Sequence, residues 1–274
     1  MNMQKNIFSA ASNKLSLFPE KLDNYLDKKN FVPIATEVQP SEKCNHKCPS
    51  CQSYYALEKR DVHNLKTKGS FLDFNKLDTF WNNPPDGVII SGHTGEPLMH
   101  PEIDSFLVKL EEKKIPAVLI TNGSLITEKI ALLAVKACRG IRISLDSYDH
   151  SSFMRAHGMN KDSWETVLKG ITQLMKVREK TKKVNCSIGI GYLTDETTQS
   201  GMVAATKLAM KIGVDYIQFR PFHFKKSDIS KELGECNDLA RSGKIRILSS
   251  DQKYSISEVN ARPYSSCHGA FFIQ

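Results

Sequence analysis

The chain contains no uninterrupted apolar run of about eighteen residues or more, so the sequence offers no membrane-spanning helix. Its N-terminal stretch, "MNMQKNIFSAASNKLSLFPEK", lacks the continuous apolar segment of a secretory signal. That stretch is basic and poor in acid, which leaves a transit peptide open, but a short helix over Ala11 to Leu26 capping the fold is the expectation. Nowhere are basic residues interleaved with aromatics as nucleic-acid platforms require, so no nucleic-acid partner is expected. A secreted disulfide framework is absent too. Seven cysteines is an odd count; three crowd one loop, while Cys138, Cys186, Cys236 and Cys267 are scattered over 274 residues. That pattern points to a reducing compartment, the cytoplasm, and to a metal site. The formal charge of +8 suits an anionic substrate or cofactor as well as a plain solvated surface.

What the sequence does have is a regular alternation of strand and helix signals. "FVPIATEV" (31–38), "GVIISGH" (87–93), "PAVLITNG" (116–123), "GIRISLDS" (140–147), "KVNCSIGIGYL" and "VDYIQFRPF" carry the short apolar runs of buried strands. Between them lie helical patterns: "DFNKLDTFWNN", stopped by Pro84 and Pro85; "PEIDSFLVKLEEKK", with Ile103, Phe106, Leu107 and Leu110 on one face; "TEKIALLAVKAC", with Thr127 as cap; "SWETVLKGITQLMKVREK"; and "TTQSGMVAATKLAMKIG", ending at Gly213. Six such repeats predict an α/β fold with a parallel sheet, either a partial (β/α)6 TIM-like barrel or an open doubly wound sheet. In both, the loops leaving the strand C-termini carry the chemistry. The expected division is an N-terminal helical extension over 1–30, a core over 31–225 and a C-terminal extension over 226–274, in which "IRILSS" is a further strand.

The loop leaving the first strand reads Cys44-Asn-His-Lys-Cys48-Pro-Ser-Cys51. Thiolates ligate zinc or iron–sulfur clusters. A structural zinc site closes with four ligands, so zinc would need His46 or the distant Cys267 as well. Three cysteines at these spacings can instead wrap three corners of a [4Fe–4S] cluster and leave its fourth iron open to a small molecule.

These residues resemble the CxxxCxxC signature of the radical S-adenosylmethionine (radical SAM) superfamily, and the likeness extends over roughly residues 31 to 222. The resemblance implies a partial (β/α)6 barrel in which Cys44, Cys48 and Cys51 hold the cluster. It implies that S-adenosylmethionine (SAM) chelates the fourth iron and is reductively cleaved to a 5′-deoxyadenosyl radical that abstracts hydrogen from substrate. A fourth thiol would occupy the iron the cofactor needs. Gly95, Glu96 and Pro97, in "HTGEP", resemble the family's GGEP motif, which receives the methionyl ammonium; Thr94 replaces its first glycine. Asn122, in "ITNGS", looks like the TNG loop near the ribose. Ser144, in "RISLDS", matches a cofactor-contacting serine, and Arg155 matches an arginine paired with the cofactor carboxylate, for which a guanidinium fork is suited. Phe222 resembles an apolar residue near adenine. Ser50 departs from the pattern, because the residue before the third cysteine is often aromatic there; Tyr54 or Tyr55 could supply the missing ring.

Strand-end residues that the cofactor does not claim are substrate candidates: His93, Asp146, Tyr192, Arg220 and His223. Asp146 could equally cap a turn, and Arg220 with His223 and Lys225 would suit a phosphate or carboxylate. The thirty residues ahead of the first strand are short for a leader-binding domain, which favours a small molecule, carbohydrate-like compounds included, over the alternative of a peptide-modifying maturase. An electron donor such as flavodoxin or ferredoxin is the implied protein partner. "SSCHGAFFIQ" resembles the start of a SPASM or twitch extension, where Cys267, with Cys236 upstream, could serve an auxiliary cluster. The reading of another class is a zinc- or cluster-binding α/β protein without radical chemistry.

Overall fold

β-branched and leucine-rich runs bounded by turn residues form seven strands in the computed structural model: β1 (Thr36–Val38), β2 (Val88–Ile90), β3 (Ala117–Thr121), β4 (Cys138–Ser144), β5 (Ser187–Thr194), β6 (Tyr216–Pro221) and β7 (Arg246–Ser249). The structure describes residues 18–27, 29, 32–49, 51, 69–92, 95–222, 227–249 and 254. The strands make one all-parallel sheet in the order β1 to β7, each beside its successor in sequence. With right-handed crossovers, an order that never reverses sends every connecting helix to the same side. A doubly wound sheet reverses and covers both faces. The architecture is therefore the partial TIM-like barrel.

Two faces result. Val88, Ile90, Leu119, Ile141, Ile143, Ile188, Ile190, Ile217 and Phe219 are buried toward the helices. They pack on α3 (Ile103–Glu112), α4 (Glu128–Ala137), α6 (Lys161–Thr181) and α7 (Met202–Ile212) through residues such as Phe106, Ala134, Ile171 and Ala209. Each large side chain so buried contributes about 1.5–3 kcal/mol. The opposite face of the same strands carries Glu37, Ile89, Ile120, Arg142, Ser144 and Arg220, and these line a cavity.

The helix ends follow from their caps. Thr127 Oγ1 accepts from Ile130 N–H at 3.2 Å to start α4, Asn160 starts α6, and Gly213, at φ 85°, ends α7. Asp149 and Ser152 form a capping box at α5 (His150–His157). α1 (Pro19–Leu26) covers the described part of the expected N-terminal helix. The helix expected over 73–83 is divided at Leu77 into a 3₁₀ turn (Phe74–Lys76) and α2 (Asp78–Asn82). β4 begins at Cys138, two residues earlier than expected, because α4 runs straight into it. Past residue 225, α8 (Ser230–Ala240) and β7 add a further βα unit, with β7 pairing in parallel with β6. Among the described residues, no helix is long and apolar enough to cross a membrane.

Candidate active site

Three neighbours clamp the cysteine loop where it leaves β1. After β2, Glu96 N–H donates to Lys43 O at 2.7 Å. Gly95 lies so close to the loop's approach that an added Cβ would sit 2.1 Å from Ser41 O, so only glycine fits. After β3, Asn122 Nδ2 donates to Asn45 Oδ1 at 2.9 Å, and Asn45 Nδ2 donates to Ser124 Oγ at 2.8 Å. At the end of α5, Lys47 N–H donates to His157 O at 3.1 Å. Gly158, left-handed at φ 62°, lets that helix end against the loop; a Cβ there would lie 2.4 Å from Lys47 O. Behind Cys48, His157 Nδ1 is 3.4 Å from Sγ and 3.3 Å from His46 Nδ1, while His157 Nε2 donates to Leu145 O at 2.8 Å.

Glu96 is 2% exposed and fastens two of these loops together. Its carboxylate accepts from Thr121 Oγ1 (2.5 Å), Asn122 N–H (2.8 Å) and Leu98 N–H (3.2 Å). Burial raises its pKa to about 7 against the opposing pull of those three donors.

Cys44, Cys48 and Cys51 are half-buried and line the same cavity of about 690 Å³ as Gly95, Glu96, Pro97, Asn122, Ser144, Arg155 and Phe222. The fold thus brings together every described residue expected to touch the cofactor. Asp146, Tyr192 and Arg220 also reach this cavity. Asp146, at φ 47°, does not cap the turn that follows it: its Oδ1 accepts from Leu193 N–H on β5 at 2.7 Å, which ties β4 to its neighbour. Tyr192 is 2% exposed and its hydroxyl donates to Thr198 O at 2.9 Å, so the hydroxyl fastens the loop after β5. Burial raises its pKa further. Cys236 is buried between α7 and α8, where its Sγ accepts from Thr206 Oγ1 at 3.2 Å, a core thiol rather than a site residue. Ser50, His93, His223 and Cys267, with Tyr54, Tyr55, Thr94 and Lys225, lie outside the described residues.

Sequence reasoning missed Arg142, Asn45 and His157. Arg142 had a signal, a charge inside the apolar strand "GIRIS". It lies deep on the cavity face, where its Nη1 donates to Gln218 Oε1 at 2.7 Å. Burial lowers its pKa to about 10, helped by the charge of Arg220 and partly offset by Tyr216, Asp146 and Glu37.

A parallel sheet wound in sequence order, with a three-thiol loop after its first strand, matches a known class. The sequence profile of the Radical SAM superfamily fits residues 38–200, and the chain belongs to that superfamily. Molybdenum cofactor biosynthesis protein 1 of Mus musculus is 28% identical over 206 residues, covering 72% of this chain and 30% of that protein. The GTP 3′,8-cyclase of Campylobacter jejuni (strain RM1221) is 26% identical over 241 residues, covering 86% of this chain and 67% of the cyclase. The chain therefore spans under a third of the mouse relative. In fold it is similar to Streptococcus suis SuiB bound to S-adenosylmethionine (TM-score 0.62, 16% identity, 90% of this chain and 59% of SuiB). It is likewise similar to anSMEcpe with bound AdoMet (TM-score 0.58, 17% identity, 79% and 64%).

The superfamily's cofactors are a [4Fe–4S] cluster and SAM, and the residues present fit them. Three half-buried thiols line one cavity. Among the described residues, the metal-ligating atoms that converge within 4.8 Å are those of His46, Cys48 and His157.

Proposed function

We propose that this protein is a radical SAM enzyme that abstracts hydrogen from a small molecule held beside SAM. The observation that carries this reading is the convergence of the three thiols, the Gly95–Glu96–Pro97 turn, Ser144 and Arg155 on one cavity from four separate segments. Cys44, Cys48 and Cys51 would hold the cluster. Glu96, with the carbonyls around it, would accept the methionyl ammonium, and the Arg155 guanidinium would pair the carboxylate. Asn122 would lie near the ribose, Ser144 would contact the cofactor and Phe222 would lie near adenine. When bound, the reduced cluster and SAM supply a hydrogen-abstracting 5′-deoxyadenosyl radical. The chain's own work is to orient and to exclude water. Thr121, Asn122 and Leu98 fix the Glu96 carboxylate, while Ile89, Ile120 and Phe222 give the cavity its dry walls.

A cavity of about 690 Å³ that must also hold the cluster and SAM leaves room for a compact substrate, which favours a small molecule over an extended peptide. The similarity to GTP 3′,8-cyclases is in keeping with this choice and favours a nucleotide-like over a carbohydrate-like compound. A donor such as flavodoxin or ferredoxin would deliver the electron. The test is anaerobic reconstitution, iron and sulfide assay, then reduction with dithionite in the presence of SAM and quantification of 5′-deoxyadenosine. About four irons per chain, with 5′-deoxyadenosine formed by the wild type and not by Cys48→Ala, supports the reading. Zinc in place of iron, or a cluster that never cleaves SAM, overturns it.

A further inference from the structure

Opposite the cysteine loop, the cavity wall is built from β4, β5 and β6, and their register explains its shape. Ser144 pairs with Gly191 and Gly191 with Gln218; one step below, Arg142 pairs with Gly189 and Gly189 with Tyr216; one step above, Leu193 pairs with Arg220. All of these residues share one face by the two-residue period of a strand. β5 presents two glycines there. The Tyr216 ring fills the space over Gly189, where an added Cβ would lie 2.4 Å from it. Arg142 therefore rises across Gly191, with Cδ 3.5 Å from a Cβ placed there, and reaches Gln218 on β6. Arg220 stands one step further toward the mouth of the same wall.

The two guanidinium groups share a cavity whose described carboxylates, Glu37 and Asp146 among them, act on Arg142 from a distance and pair with neither. Among the described residues neither lies within ion-pair distance of a carboxylate, and the Nε of each is buried without a hydrogen-bond partner. Two like charges held together in a partly desolvated site are costly unless an anion joins them. The charge of Arg220 already disfavours the protonated form of Arg142. Because Gln218 Oε1 accepts from Arg142, its amide N–H groups remain as donors. The set is then two forked cations with a neutral donor between them, the arrangement that recognises a phosphate or carboxylate.

We propose that Arg142 and Arg220, with the Gln218 amide between them, form the subsite that receives an anionic group of the substrate, a phosphate or a carboxylate. This rests on the reading of the cavity as a radical SAM active site. It makes the substrate an acid, with its charged group anchored on the β4–β6 wall and the rest directed toward the cysteine loop. Arg142 and Arg220 are binding residues, and neither is asked to move a proton.

The test is calorimetric titration of the reconstituted full chain with inorganic pyrophosphate and, separately, with succinate. One of the two anions is expected to bind the wild type at a single site, and its identity tells phosphate from carboxylate. Affinity is expected to fall by about tenfold or more in Arg142→Gln and in Arg220→Gln, the loss of a charge-assisted pair. Arg142→Lys and Arg220→Lys keep the charge without the fork and are expected to bind between these limits. Thermal melting of each variant separates lost binding from lost folding. Failure of both anions to bind the wild type, or equal binding by wild type and folded Gln variants, overturns the subsite. Failure of the parent reading shows elsewhere, as wild-type protein that lacks iron or yields no 5′-deoxyadenosine, whatever the anions do.

Discussion

On the cysteine side of the cavity, Cys44, Cys48 and Cys51 sit in one loop whose position is set by hydrogen bonds from Glu96, Asn45, Asn122 and the end of α5. On the arginine side, Arg142, Gln218 and Arg220 come one or two at a time from strands, and only sheet register brings them together. The first side is a clamped loop, fastened from three directions through Lys43 O, the Asn45 side chain and Lys47 N–H. The second is a wall, rigid because it is the sheet itself. A loop can be lost without the sheet, and the wall can be deformed without the loop, so the two sides fail independently.

The largest expected effect breaks the cysteine side alone. Cys48→Ala is expected to remove essentially all iron and SAM cleavage while the melting temperature shifts little, since the thiol is half-buried at a cavity edge rather than in the core. Anion titration of the same variant should match wild type. Iron retained at wild-type level would show that Cys48 is not a ligand.

Next comes Glu96, on which the clamp depends. Glu96→Ala leaves the donors of Thr121, Asn122 and Leu98 unmatched in a buried site and is expected to cost about 3 kcal/mol or more by denaturant titration. Because the folded pKa of Glu96 is raised from 4.5 to about 7, the folded state binds its proton more firmly than the unfolded state does. Its contribution is complete below about pH 4.5 and is lost as pH rises through about 7. Stability should decline across that window by an amount on the order of 3 kcal/mol, and Glu96→Gln should remove the slope. SAM affinity should run the other way, tightening as pH rises, because an ammonium favours the ionised carboxylate. A flat SAM affinity across this window would mean that Glu96 serves only as a clamp.

Gly189→Ala is the complementary break. Its Cβ collides with the Tyr216 ring, which should cost about 1–3 kcal/mol and weaken anion binding, while iron content stays at the wild-type level. Loss of iron in this variant would contradict the independence of the two sides. The smallest effect is the scaffold control: Thr127→Ala removes the α4 cap for about 1 kcal/mol and should leave both sides intact.

The difference between the two sides also decides what the sequence could reveal. Strand and helix alternation, the Thr127 cap and the Gly213 terminus were legible because each depends on a local pattern. The cysteines and Glu96 were proposed from contiguous motifs and Arg155 from its spacing after Ser144, and the fold brings all of them to one cavity. Arg142 was not, since its role depends on pairing with a strand many residues away and on two glycines that let it cross β5. Strand alternation could put Tyr192 near the mouth but could not show that its hydroxyl bonds Thr198 O. His157 and Asn45 lay within motifs read for other residues, and only the folded loop shows them holding the cysteines in place.

The most direct test of the account is electron paramagnetic resonance of the dithionite-reduced, reconstituted protein before and after addition of SAM. The account predicts a reduced [4Fe–4S] signal that changes shape when SAM is added, because Cys44, Cys48 and Cys51 would hold the cluster and leave one iron for SAM. A cluster signal indifferent to SAM, or a protein that binds zinc and shows no cluster signal, would contradict it.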